Sequence, residues 1–95
     1  MAKGVIWSDR SLKEYDDLIY YLSEKWSNEI ALRVMMEIDQ TVLHIQNAPD
    51  HFPFYAKRKK IKRCVASPQT SIYFKVYDDN VEILTIFDNR QNPRS

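Results

Sequence analysis

Two runs of apolar residues, each recurring at three- and four-residue steps, stand almost end to end in the first half of the sequence. Leu12, Tyr15, Leu18, Ile19, Leu22 and Trp26 mark the first; Ala31, Val34, Met35, Ile38, Val42 and Ile45 mark the second. That spacing puts each set along one side of an α-helix. Ser8 offers a side-chain oxygen to the orphan amides of the first helix, and Ser11 and Glu14 repeat the capping-box spacing. Lys13, Glu14, Asp16, Asp17 and Glu24 take the polar side, and the helix is expected to reach about Trp26. The second helix starts near Ser27 or Asn28 and stops before Pro49, which has no amide hydrogen and pushes Ala48 out of helical geometry. So short a connection forces the helices antiparallel, as a helical hairpin. Leu32, Met36 and Leu43 fall beside the main stripe of the second helix; they either widen the core or form a face for a partner.

What covers the hairpin comes from the second half. After the connector "NAPDHFPFYAKRKK", which has two prolines and no steady period, residues 59–66, 71–77 and 81–87 are rich in β-branched and aromatic types. Asp78-Asp79-Asn80 is turn chemistry for a tight hairpin between the last two. Ile72, Phe74 and Val76 are expected on one side of their strand, and Val81, Ile83, Thr85 and Phe87 on one side of the next. Leu84 and Ile86 make that last strand apolar on both faces, which places it inside the sheet. With Val5-Ile6-Trp7 as a short β-prone start, the order is strand, helix, helix, strand, strand, strand. At 95 residues the chain is one domain, 1–95, large enough for one core.

Charge is the other informative quantity. The formal net charge is +1, yet residues 57–63, "KRKKIKR", hold six cations and no anion; without them the chain stands at −5. A near-neutral average conceals a basic patch on an acidic body. The single cysteine, Cys64, excludes an internal disulfide, and with only His44 and His51 beside it a structural zinc site has too few soft ligands. No metal or cofactor is expected. His51 beside Asp50 reads as surface, because no nucleophile accompanies them, and His44 as the edge of the second helix's packing. The start "MAKGVIWSDR" lacks the apolar run of a signal peptide, and nowhere do 18 uncharged apolar residues follow one another, so a cytoplasmic protein with no membrane partner is expected.

A short strand ending in Trp7-Ser8, a helical hairpin, a proline-bearing connector, "KIKRCV" and "SIYFKVYDDNVEILTIFDNRQNP" together resemble the RelE/ParE superfamily of toxins from type II toxin–antitoxin modules. The most diagnostic piece is Arg90-Gln91-Asn92-Pro93 directly after the last strand. The resemblance implies an α+β fold, with the hairpin on one face of a small, mainly antiparallel sheet and a concave surface where strand cations and Arg90 converge. It further implies a co-expressed antitoxin as partner, a toxin–antitoxin hetero-oligomer, and DNA contact only through the antitoxin. Two activities divide the superfamily: RelE-like members cut messenger RNA on the ribosome, whereas ParE-like members poison DNA gyrase.

The residues weigh between these. Metal-independent RNA cleavage needs a proton acceptor, a proton donor and charge stabilisation at phosphorus. Arginine serves only the last, since its planar fork binds phosphate oxygens and never deprotonates. Should the chain be a ribonuclease, Lys60, Lys62, Arg63 and Arg90 are the candidates; alternation along the strand leaves open whether Lys62 or Arg63 faces the site. The tail after Arg90, however, holds only Gln91, Asn92, Pro93, Arg94 and Ser95, with no acid or base of useful pKa. The expectation is therefore ParE-like growth inhibition through protein contact, with a RelE-like endoribonuclease and an inactive, partner-binding member as alternatives. Arg58, Lys60, Lys62, Arg63, Tyr73, Lys75 and Arg90 are the expected contacts to target or antitoxin, with Tyr73 and Tyr77 suiting stacked bases as well and pairing with Asp88 the alternative for Arg90.

Overall fold

The computed structural model describes residues 2–91. Strand β1 (Gly4–Trp7) leads into helix α1 (Asp9–Lys25) and helix α2 (Asn28–Asn47), followed by a 3-10 turn (Pro49–His51) and strands β2 (Phe54–Ala56), β3 (Ile61–Ser67), β4 (Thr70–Val76) and β5 (Asn80–Asp88). The sheet runs β1-β5-β4-β3-β2, with β1 parallel to β5 and every other pair antiparallel. The fold is thus α+β, as expected, with β5 interior. Asn92 and Pro93 of the diagnostic Arg90-Gln91-Asn92-Pro93 piece lie outside the described residues.

Serine hydroxyls start both helices. Ser8 Oγ accepts from Ser11 N and Ser27 Oγ from Ile30 N, each at 3.0 Å. The hairpin buries Leu18 and Leu22 of α1 and Ala31, Val34, Ile38, Val42 and Ile45 of α2 against Cys64, Ile72, Phe74, Val81, Ile83 and Ile86 of the sheet. Burial pushes the Cys64 thiol up, away from the reactive thiolate. Leu32, Met36 and Leu43 do not join this core: they remain 59%, 59% and 56% exposed along α2.

Two sequence expectations change. First, Lys59 and Lys60, expected to open the strand over 59–66, are not strand. Phe54–Ala56 pairs back onto β3, and Lys57–Lys60 form the turn between them, with Lys59 N and Lys60 N donating to Ala56 O and Lys57 O. Lys60 takes the left-handed conformation, φ 59°, a position glycine fills more easily. The run from 54 to 56 is too short to show a period, which hid β2 inside the connector.

Second, β5 contains a bulge. Tyr73 stands opposite Thr85 but Phe74 opposite Ile83, so Leu84 is an extra residue. An extra residue reverses the faces beyond it. Val81 and Ile83 point inward before the bulge, and Ile86 and Asp88 after it; Thr85 and Phe87, expected on the same side as Val81 and Ile83, do not. The start of α1 stitches the bulge shut. Ser8 N and Ser11 Oγ donate to Ile83 O, and Ser8 Oγ donates to Leu84 O, each at 3.0 Å. Glu14 Oε1 accepts from Thr85 Oγ1 at 2.6 Å and from Ile86 N at 3.0 Å. Glu14 is a bulge ligand rather than a capping-box partner.

Candidate functional site on the open face of the sheet

The bulge decides where the cations go. By turning Asp88 inward it sets a buried carboxylate beside Thr70, whose Oγ1 donates to Asp88 Oδ2 at 2.6 Å. Arg90 closes on it as a fork: Nε donates to Oδ1 at 3.1 Å and NH2 to Oδ2 at 2.8 Å, while the Arg90 backbone N–H donates to Oδ1 at 2.9 Å. Only 12% of the Arg90 side chain is exposed. Burial alone would raise the Asp88 pKa, but the Arg90 fork, the Thr70 hydroxyl and the Arg90 amide outweigh it and hold the carboxyl below its usual range. The same bonds, with a weaker attraction from Glu37 on α2, raise Arg90.

The question of register in the basic strand has a definite answer. Lys62 stands opposite buried Phe74 and Arg63 opposite Tyr73, so Lys62 faces the helices and Arg63 the open side. Lys62, with 10% of its side chain exposed, donates from Nζ to Pro49 O at 3.1 Å, lies 4.0 Å from Asp50 Oδ1, and sits over the Phe54 ring at 5.0 Å. It ties the 3-10 turn to β3.

The expected hollow shared by Arg90 and the lysine-rich strand is therefore not built. Lys62 occupies one end of β3, and the Asp88–Thr70–Arg90 clamp borders the other, since Ser67 pairs with Thr70 and Thr70 with Asp88. Lys62 and Ser67 lie five residue steps apart, about 16 Å along the strand. The Lys62 and Arg90 side chains are also taken up by partners within the chain.

What the open face does bring together is Arg63, Tyr73 and Tyr55, the last unforeseen in the sequence. The Tyr55 and Tyr73 rings meet edge to face at 4.9 Å, and the Arg63 guanidinium lies 6.0 Å from the Tyr55 centroid. Beside them opens a hollow of about 380 Å³, lined by Arg10, Tyr55, Ile61, Tyr73, Leu84 and Thr85. Leu84 and Thr85 belong to the bulge, and Arg10 reaches the rim from the first turn of α1, held by Glu14 Oε2 at 3.1 Å. Lys75 stands further along β4, opposite Glu82. Arg58 and Lys60 are exposed on the turn between β2 and β3. The hollow is thus aromatic on its floor and cationic at its edges. The Glu14 carboxylate that holds Arg10 also accepts from Thr85 and Ile86.

Arg10 and Tyr55 carry no motif. Arg10 belongs to an amphipathic helix's first turn, where an exposed cation is ordinary, and Tyr55 to the disguised β2. A four-residue cation run between two short β-prone segments is the one signal that pointed to a hairpin there.

This fold, with a helical hairpin packed on one face of a five-stranded sheet, has likenesses among solved structures. A chromosomal ParDE toxin–antitoxin system from P. aeruginosa superimposes with TM-score 0.77 at 16% identity, covering 92% of this chain and 96% of that one. A YoeB/ParE toxin from Agrobacterium tumefaciens gives 0.65 at 11% identity, covering 90% and 96%. A conserved hypothetical protein from Helicobacter pylori gives 0.58 at 15% identity, covering 95% and 97%. At these identities the likeness is one of fold. No curated protein matches the sequence significantly. Residues 5–93 match the family model of the ParE toxin of the type II toxin–antitoxin system parDE, and the chain belongs to that family.

Proposed function

We propose that this toxin acts by binding its target through the open sheet face, with DNA gyrase as that target, and not by cutting a nucleic acid. The observation that carries this reading is that two of the four candidate cations for phosphate chemistry, Arg90 and Lys62, are engaged within the chain. Arg90 spends both arms of its fork on Asp88, and Lys62 is buried against Pro49 O. Around the open-face hollow, Arg10, Arg63, Tyr55 and Tyr73 meet a partner, residues that suit a protein contact, where arginine and tyrosine dominate binding energy. Neutralisation falls to a cognate antitoxin in the cytoplasm. Its natural landing place is the exposed Leu32, Met36 and Leu43 of α2. DNA contact in such a hetero-oligomer belongs to the antitoxin.

One observation favours a second reading, a ribosome-dependent endoribonuclease. Two tyrosine rings beside an arginine also suit unstacked bases and a backbone phosphate. Inducing the chain in a sensitive bacterial host separates the readings. We expect growth to stop, to resume when the neighbouring small reading frame is co-expressed, and messages to stay intact while DNA-damage signalling rises. Codon-phased cuts in primer extension within minutes of induction would replace the gyrase reading with the ribonuclease. Unimpaired growth would leave an inactive member that only binds its partner.

A further inference from the structure

We propose that His44 and His51 form a two-nitrogen site for a divalent transition-metal ion of the zinc, nickel and copper group. The last turn of α2 and the 3-10 turn after it bring the two exposed imidazoles together, with His44 Nε2 and His51 Nδ1 3.4 Å apart. Two nitrogens bound to one tetrahedral zinc ion at about 2.0–2.1 Å each lie about 3.3–3.4 Å from one another. The same separation is long for a direct hydrogen bond, whose range for N–H donors ends near about 3.2 Å. The imidazoles thus stand at the spacing of neighbouring ligands.

Both are held there by the fold. The His44 ring packs edge to face on Phe52 at 4.9 Å, and Phe52 in turn on buried Phe74 at 5.8 Å. The backbone of His51 is anchored in the 3-10 turn, its N–H donating to Ala48 O at 3.1 Å. Local charge is mixed. The carbonyl end of α2 and the exposed Asp50 carboxylate favour a cation, while Lys62 Nζ, 4.0 Å from Asp50 Oδ1, opposes it. Among the described residues no cluster of three or more His, Cys, Asp or Glu side chains is placed to hold a metal. Water therefore completes the coordination shell, so the site is open and of moderate affinity, and imidazole donors select copper, nickel and zinc over manganese or magnesium. Occupancy would staple the 3-10 turn to α2, immediately before β2 and Tyr55 of the open face.

The test titrates CuSO4, ZnCl2 and MgCl2 into untagged protein, following heat and, for copper, the EPR hyperfine pattern. We expect one equivalent of copper or zinc per chain, a two-nitrogen copper spectrum and no magnesium binding. His44→Ala and His51→Ala should each weaken binding by about 10-fold or more, because loss even of outer-shell partners costs about 10–100-fold. Both positions are exposed, and unchanged far-ultraviolet circular dichroism verifies that each variant is folded. Binding weakened less than twofold in both variants, or a copper spectrum with one nitrogen, would overturn the site. Growth inhibition is read separately, so failure here leaves the toxin reading intact.

Discussion

Asp88 shows how one residue redirects the chemistry of another. In the sequence it is a polar residue at the end of a strand, and Arg90 beside it reads either as its partner or as a contact to target or antitoxin. In the fold it is buried, and its carboxylate collects the Arg90 fork, the Arg90 amide and the Thr70 hydroxyl. Because these bonds hold the folded pKa below the ordinary 3.8, the clamp contributes fully above that value and is lost as pH falls through the folded one. Asp88→Asn should therefore destabilise the chain near neutral pH by about 1.5 to 3 kcal/mol, the range for hydrogen bonds to charged groups. Urea unfolding at pH 7 and again below pH 3.8 measures this, and the gap between the two proteins should narrow at the acid end. A gap independent of pH would mean that the pair's charge contributes nothing.

At the level of elements, the bulge in β5 separates what the sequence discloses from what it conceals. Helix periodicity, the serine caps and the Pro49 stop were legible because each depends on neighbours within a turn or two. The Asp78-Asp79-Asn80 hairpin was legible for the same reason, and the resemblance supplied the sheet. The bulge was not, because an alternating pattern counted from Val81 stays regular on paper through Thr85 and Phe87. Only the contacts of Ser8, Ser11 and Glu14, more than seventy positions away for each side-chain bond, break the count. Lys62 and Arg63 were ambiguous by one residue until cross-strand pairing fixed their faces. Glu14→Ala removes the acceptor for Ile86 N and Thr85 Oγ1, and with Glu14 partly exposed a loss of about 2 kcal/mol is expected. Hydrogen exchange localises it: Ile86 N–H protection should fall about tenfold or more relative to Phe74, given that local openings differ across a structure. Equal loss at both sites would mean the bulge is not a separate unit.

For the molecule as a whole, the two faces of the sheet divide the labour. One face and the hairpin hold the core, and they also absorb Lys62 and Arg90. The other face keeps Arg63, Tyr55 and Tyr73 outward around the bulge-made hollow, with Arg10 at its rim. In the described residues no helix is long and apolar enough to cross a membrane. If the open face is the contact surface, Arg63→Ala with Tyr73→Ala should spare the fold, as neither side chain is buried. Inhibition of DNA supercoiling by purified gyrase is the direct measurement. The variant, melting within about 4–8 °C of the parent, the span of about 1 kcal/mol for a domain this size, should need at least about tenfold more protein for half-inhibition, about 1.4 kcal/mol of binding. An unchanged half-inhibition point would contradict the assignment of the open face as the surface that meets the target.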